Sequence, residues 1–196
     1  MTILYSTDFD SFGNEVPTGF VGDWRSWDVT GTGLNISGTN IYTMLGGTSW
    51  GKCTAPGAQT EAEYYGELKA VFNGASLAFP HLGHGNTTDL WGNFNYRILM
   101  SGTATGFAAS LTPYIEGSFI GEQAAGTHTV AIAANDILKF RLKIVGQVVQ
   151  LWVWNSTVES EPATPITSWT DSTQRAAGYF TVLTQDGGIL YGIDNL

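Results

Sequence analysis

Residues 138–154 constrain the fold more than any other part of the chain, because their side chains alternate as a β-sheet requires. Apolar side chains occupy every second position of the first half, LKFRLKI, with cations between them. After a turn that contains Gly146, the alternation resumes in VVQLWVW. This pattern predicts an antiparallel hairpin whose two turn residues are either Val145-Gly146 or Gly146-Gln147.

The predicted hairpin has two different faces. The aliphatic side chains of both strands share one face, which predicts a buried core. The other face combines Trp152 and Trp154 with Lys139 and Arg141. Stacking surface, hydrogen-bond donors and cations beside aromatic rings are together typical of a surface that binds sugars. A second sheet, a loop or a neighbouring subunit could equally cover the tryptophans, and the sequence leaves that alternative open.

The rest of the chain also favours strands, since glycine is frequent (25 residues), proline is rare (6 residues) and only 13% of the residues are charged. The predicted strands are residues 3–9, 24–29, 40–45, 61–72, 93–100, 106–114, 127–132, the two hairpin strands, 177–183 and 190–195. Many short strands separated by turns predict an all-β, two-sheet antiparallel β-sandwich or jelly roll. No linker or internal repeat divides the 196 residues, so we expect one domain, residues 1–196.

Charge and cysteine content exclude several classes of function. The formal net charge of −9 argues against general nucleic-acid binding and against anionic membrane surfaces. Cys53 is the only cysteine, which excludes a disulfide framework and a cysteine-based zinc site. Residues 1–12 lack the basic start and the apolar stretch of a secretory signal. We therefore expect a cytoplasmic protein, one exported by another route, or one released when a cell lyses.

The C-terminal part of the chain contains, in order, ILKFRLKIVGQVVQLWVW, EPATPITSW, AAGYFTVL and GILYGIDNL, and the N-terminal part contains DFDSF and GDWRSWDVTGTGLNISG. This order resembles the concanavalin A-like lectin/glucanase superfamily in its laminin G-like form. The resemblance implies two antiparallel sheets, one of them concave, with sugar bound on the concave face or at the loops of its rim. It does not imply a reaction.

One segment is similar to a catalytic motif, so it bears on whether the chain is an enzyme. Glucanases of this superfamily carry Glu-x-Asp-x-Glu or a related motif on one strand, and the similar segment here is EYYGE, residues 63–67. Glu63 and Glu67 have the spacing that places both on one strand face, but Tyr65 stands where the orienting Asp would be. We expect a solvated acidic strand face and no enzyme, with a divergent glycoside hydrolase that uses Glu63 and Glu67 as the alternative.

Two sets of residues are candidates for binding a metal. His81 and His84, with Asp89, could hold zinc, but the glycines around them predict a flexible loop, so we do not expect it. The resemblance implies calcium near the edge of the sandwich. The candidate ligands are Asp8, Asp10 and Asp194. The favoured alternative is that these aspartates fix turns or strand ends, and no other cofactor is expected.

For ligand contact we expect exposed aromatic side chains beside polar groups. The candidates are Trp91, Tyr96, Arg97, Tyr114, Lys139, Arg141, Trp152 and Trp154. The same cluster could instead form an interface with another protein.

A lectin-like module that starts at its own methionine and lacks disulfides fits a virus-particle protein made in a bacterial cytoplasm and released by lysis. We therefore predict a non-catalytic, lectin-like component of a phage virion, such as a capsid decoration or a tail-associated protein. Its partners would be neighbouring capsid or tail subunits and glycans, and symmetry would favour a homo-oligomer or many copies on a lattice. A free carbohydrate-binding module and a divergent glycoside hydrolase or lyase are the alternatives.

Overall fold

The described residues of the protein form antiparallel strands and turns and contain no helix. The computed structural model describes residues 58–85, 94–115, 118–173 and 175–184, together with five further strands at 27–30, 34–37, 41–44, 49–53 and 191–194. Of these five strands and of residues 94, 95, 114, 115 and 182–184, only the backbone is described. Strands β1 to β18 are, in order, Trp27–Thr30, Leu34–Ser37, Ile41–Met44, Ser49–Cys53, Ala62–Lys69, Val71–Asn73, Ser76–Ala78, His81–Gly85, Phe94–Thr103, Gly106–Leu111, Tyr114–Ile115, Ser118–Phe119, Ala124–Thr129, Ile137–Val145, Val148–Asn155, Thr167–Thr170, Tyr179–Thr184 and Tyr191–Asp194. No helix in this part of the chain has the length and apolarity needed to cross a membrane.

These strands form two large antiparallel sheets, which confirms the predicted β-sandwich. In the nine-stranded sheet the order is β1-β4-β17-β8-β9-β10-β13, and β7 pairs with both β6 and β9. In the seven-stranded sheet the order is β16-β15-β14-β5-β18-β3-β2. A separate two-stranded sheet pairs β11 with β12. β17 and β18, the last two of the described strands, therefore lie inside the two sheets, one in each.

Strands β14 and β15 form the predicted hairpin. The pair Val145 and Val148 leaves Gly146 and Gln147 as the turn residues, which decides between the two predicted turns. Gly146 has a φ of +57°, a left-handed conformation that favours glycine. Arg141 lies opposite Trp152 in the register. The cationic and aliphatic sides of the hairpin are thus on opposite faces, as predicted.

The core lies between the sheets and is filled by the aliphatic face of the hairpin. The buried side chains of the seven-stranded sheet include Leu68, Phe140, Leu142, Val149 and Leu151, and those of the nine-stranded sheet include Leu82, Ile98, Phe107, Leu111 and Phe180. The rings of Phe140 and Phe180 stack across the sandwich with centroids 5.9 Å apart. Because the aliphatic face packs inward, the polar face of β5, β14 and β15 points away from the core.

The predicted flexible loop around His81 and His84 is wrong, since both histidines belong to β8. This strand lies between β17 and β9, and His84 is only 1% exposed. A strand inside a sheet and covered on both faces need not alternate, so its glycines resembled a loop. Strands β2, β4, β7, β8, β12 and β16 were not predicted from the sequence, and the predicted strand at residues 3–9 lies outside the described residues.

Candidate functional site

The polar face of β5, β14 and β15 is the candidate site, and we call it the outer face. It is formed by Glu63, Tyr65, Glu67, Lys139, Arg141, Trp152 and Trp154. Antiparallel pairing arranges these side chains in rows, because successive residues of a strand point to opposite faces. One row is Tyr65, Arg141 and Trp152, and the next is Glu67, Lys139 and Trp154.

Arg141 lies at the centre of the outer face and joins its three strands. The carbon of its guanidinium group is 3.7 Å from the ring centroid of Trp152 and 5.8 Å from that of Tyr65. Its Nη1 donates to Glu63 Oε1 at 3.1 Å, and its Nη2 forms a salt bridge with Glu161. Burial lowers the pKa of Arg141, but the hydrogen bond that Arg141 donates to Glu63 and the nearby negative charges outweigh that effect and raise the pKa. Arg141 is therefore a fixed cation.

Tyr65 is the exposed aromatic residue beside this cation. Its side chain is 40% exposed, and its hydroxyl donates to Glu63 Oε1 at 3.1 Å. Burial, followed by the hydrogen bond and the charge of Glu63, raises the pKa of the Tyr65 hydroxyl. The hydroxyl is therefore neutral at neutral pH, and the hydrogen bond holds the ring in place at the surface.

The two carboxylates of the enzyme-like segment are both bound by cations of β14. Glu63 accepts from Arg141, and Glu67 Oε1 lies 2.7 Å from Lys139 Nζ. Glu61 accepts a hydrogen bond from the backbone N–H of Gly146 at 3.0 Å. The strand face that we predicted to be simply acidic and solvated is thus an ion-paired face, because Lys139 lies opposite Glu67, and Arg141, which lies opposite Tyr65, reaches Glu63 diagonally.

The prediction that Trp152 and Trp154 are exposed is wrong, since their side chains are 5% and 6% exposed. Residues 156–166, which we call the covering segment, leave β15 and return to start β16, where the N–H of Ile166 donates to Leu151 O. Glu161, in the middle of this segment, binds Arg141 next to the Trp152 ring. The covering segment therefore reaches the part of the outer face where Arg141 and Trp152 stack, and a loop over the tryptophans was one of the alternatives that the sequence left open.

Tyr96 and Arg97 are also buried, at 2% and 7%, and they lie in β9 of the other sheet. The ring of Tyr96 makes an edge contact with Trp169, and Arg97 Nε donates to Thr112 Oγ1 at 3.0 Å. β9 lies between β8 and β10 in the nine-stranded sheet, so neither side chain reaches the outer face of the seven-stranded sheet. Their predicted exposure is therefore wrong.

The remaining candidates fall outside the described side chains. Trp91, Asp8 and Asp10 lie outside the described residues, and of Tyr114 and Asp194 only the backbone is described. The backbone of Asp194 lies opposite Glu67 in the sheet register. Among the side chains that the structure describes, no three His, Cys, Asp or Glu groups come together in a way that could hold a metal ion.

Sequence reasoning missed two residues that the structure brings to the outer face. Tyr65 was not among the residues expected to contact a ligand, although its position between Glu63 and Glu67 places it on the same face. Glu161, which directly precedes Pro162, was not among the candidates. Its contact with Arg141 depends on the path of the covering segment, for which the sequence has no local signal.

The fold is shared with enzymes and with binding proteins. No protein-family model and no curated protein matches the sequence. A β-1,3-glucanase from Mycobacterium marinum is similar in structure, with a TM-score of 0.59 and 10% identity over 100% of this chain and 99% of that chain. The carbohydrate-binding module CBM66 from Bacillus subtilis has a TM-score of 0.55 and 12% identity, covering 87% of this chain and 91% of that chain. The exoplasmic/lumenal domain of VIP36, in a form bound to Ca²⁺ and Man2, has a TM-score of 0.58 and 10% identity, covering 92% of this chain and 86% of that chain. The chain therefore has the two-sheet jelly-roll fold of the concanavalin A-like superfamily.

Proposed function

We propose that the protein is a non-catalytic, lectin-like module that binds a glycan on the outer face. The observation that carries this proposal is the exposed ring of Tyr65, fixed by its hydrogen bond to Glu63. Glu67 and Lys139 lie in the next row of the same face. Two of the structural neighbours support the proposal, since one is named a carbohydrate-binding module and another was solved with Man2.

A sugar fits this arrangement because a pyranose ring has an apolar face edged by hydroxyl groups. Tyr65 supplies a flat apolar surface for the sugar ring. Around Tyr65, the carboxylates can accept hydrogen bonds from the sugar hydroxyls, and the cations can donate hydrogen bonds to them. These side chains already hold one another in place through Arg141 and Lys139. Little rotamer freedom is then lost on binding, which favours affinity.

The same contacts support a binding role rather than hydrolysis. A retaining glycosidase uses one carboxyl group as nucleophile and a second as general acid, about 5 Å apart. Here Glu63 is bound by Arg141 and by Tyr65, and Glu67 is bound by Lys139. Tyr65 also occupies the position of the orienting Asp in the glucanase motif.

A glycan array probed with the wild type and with Tyr65→Ala tests the proposal. We expect the wild type to bind a defined glycan and the variant to lose about tenfold or more in affinity, because the stacking surface is removed. Phe119→Ala is the matched control, since Phe119 is an exposed aromatic residue of the separate two-stranded sheet. A wild type that binds no glycan, or a Tyr65→Ala variant that binds as well as the control, would contradict the proposal.

Hydrolysis is tested on the same ligands by measuring new reducing ends. We expect none from the wild type. If the wild type releases sugar and Glu63→Gln or Glu67→Gln abolishes the release in a folded protein, the chain is a divergent glycoside hydrolase.

As the biological setting we propose the phage virion predicted from the sequence, with capsid or tail subunits as partners. This part of the proposal rests on the sequence alone. It predicts that purified particles contain the protein, and that Tyr65→Ala changes glycan binding by the particle. If Tyr65→Ala instead changes assembly or attachment to the particle, the outer face is a protein interface.

A further inference from the structure

One edge of the Arg141 guanidinium group is only half used. Nε and Nη2 lie on the same edge, and together they match the two oxygens of one carboxylate. Nη2 binds Glu161, whereas the buried Nε has no hydrogen-bond partner among the described residues. Glu161 therefore occupies this edge without using both of its donors.

A second buried donor belongs to the ring on which this guanidinium group stacks. The Nε1 of Trp152 is buried and has no hydrogen-bond partner in the described part of the chain, and the ring is only 5% exposed. The guanidinium group stacks on the same ring at 3.7 Å. Buried donors are normally satisfied, and two donors without an acceptor on side chains that stack on each other indicate that an acceptor-rich group is missing.

Glu161 is the partner of Arg141 that can be displaced. Its side chain is 35% exposed, and it belongs to the covering segment, where Ser160, Ala163 and Thr164 are also exposed. Glu63, in contrast, is 18% exposed on β5 and also accepts from Tyr65. A partly exposed ion pair contributes little to stability, so exchanging Glu161 for another carboxylate costs little.

We infer that the glycan of the outer face is an acidic sugar, whose carboxylate takes the place of Glu161 on the Nε and Nη2 edge of Arg141. This inference rests on the proposed function and names the ligand class. The sugar ring stacks on Tyr65, which lies on the other side of Arg141 from Trp152. Glu161 is then a built-in competitor, and the ligand lifts it from the cation.

The test compares carboxylated glycans with their neutral methyl esters. The probes are oligogalacturonate and sialyllactose, each with its ester, titrated by calorimetry at physiological salt so that the net negative charge of the chain is screened. The variants are Glu161→Gln, Arg141→Lys and, as a matched control, Glu122→Gln, which removes the same charge from an exposed residue away from the outer face. Circular dichroism checks that each variant is folded.

We expect an acidic probe to bind the wild type more tightly than its ester does. Glu161→Gln should bind that probe about tenfold more tightly, because the competitor is gone, and Glu122→Gln should stay within about twofold of the wild type. Arg141→Lys should lose the preference for the acid, because an ammonium group cannot bind a carboxylate through two parallel donors. An ester that binds as well as its acid, or a Glu161→Gln variant that behaves like Glu122→Gln, overturns the inference.

The outcomes separate this inference from the proposed function. Binding of neutral glycans alone, in a manner that depends on Tyr65, leaves the proposed function standing and overturns the acidic-sugar inference. If no glycan of either kind binds, both fail.

Discussion

At the scale of single residues, His84 is an ionisable side chain buried inside the sandwich. It is 1% exposed, and its Nδ1 lies 2.8 Å from the hydroxyl of Tyr64. The ring of Tyr96 stacks on it with centroids 6.1 Å apart. Burial lowers the pKa of His84 to about 4, and a hydrogen bond with the backbone of Gln59 opposes this only in part. The folded protein therefore holds His84 neutral at neutral pH.

This neutral histidine makes the fold sensitive to acid. The pKa of His84 in the unfolded chain is about 6.5, so the unfolded state takes up a proton first as the pH falls. The stabilisation that comes from a neutral His84 is complete above about pH 6.5. Roughly 3 kcal/mol of the free energy of unfolding is lost as the pH falls to about 4. Urea denaturation of the wild type and of His84→Gln at both ends of this pH range measures the loss. The comparison isolates His84, because ion-paired carboxylates contribute to both proteins alike. An equal loss in the two proteins would show that His84 is not responsible.

At the scale of elements, the covering segment is held where it rejoins the seven-stranded sheet. Ile166, its last residue, bonds through its N–H to Leu151. A Cβ added at Gly126 of β13 would lie 1.7 Å from the carbonyl oxygen of Ile166. The edge strand of one sheet and the start of β16 in the other thus approach so closely that only glycine fits.

Gly126→Ala is therefore expected to lower the free energy of unfolding by about 1–3 kcal/mol, because β13 or Ile166 must move. Gly146→Ala is a matched comparison, since nothing lies within 4 Å of an added Cβ there and only the left-handed backbone penalises it. We expect this second change to cost about 1 kcal/mol. Urea titrations of the two variants measure the difference, and the close approach is not a constraint if Gly126→Ala proves no worse than Gly146→Ala.

The elements also show which parts of the fold and of the site could be predicted from the sequence. Alternation along the hairpin predicted the core face and the polar face, because the direction of each side chain follows from a local period of two. The cover over Trp152 could not be predicted, since it depends on Glu161 reaching a cation twenty residues earlier in the chain. The interior position of Tyr96 could not be predicted either, since it depends on which strands flank β9.

At the scale of the whole molecule, the C-terminal strands complete both sheets. β17 lies between β4 and β8, and β18 lies between β5 and β3. Each therefore pairs with strands more than a hundred residues earlier in the chain on at least one side. Neither sheet has its full set of pairings until the end of the chain is in place, so the two sheets should fold together.

This topology predicts one cooperative unfolding transition. Measuring that transition tests the expectation of a single domain. A chain truncated after residue 176 lacks an interior strand of each sheet, which leaves unpaired backbone groups at the centre of both. We expect the full chain to unfold in one transition, with tryptophan fluorescence and far-UV circular dichroism coinciding. Refolding should be slow, in milliseconds to seconds, because its pairings join distant segments. The truncated chain should show no cooperative transition. If the truncated chain kept a cooperative transition with part of the amplitude, one sheet would form an independent unit, and the single-domain expectation would be wrong.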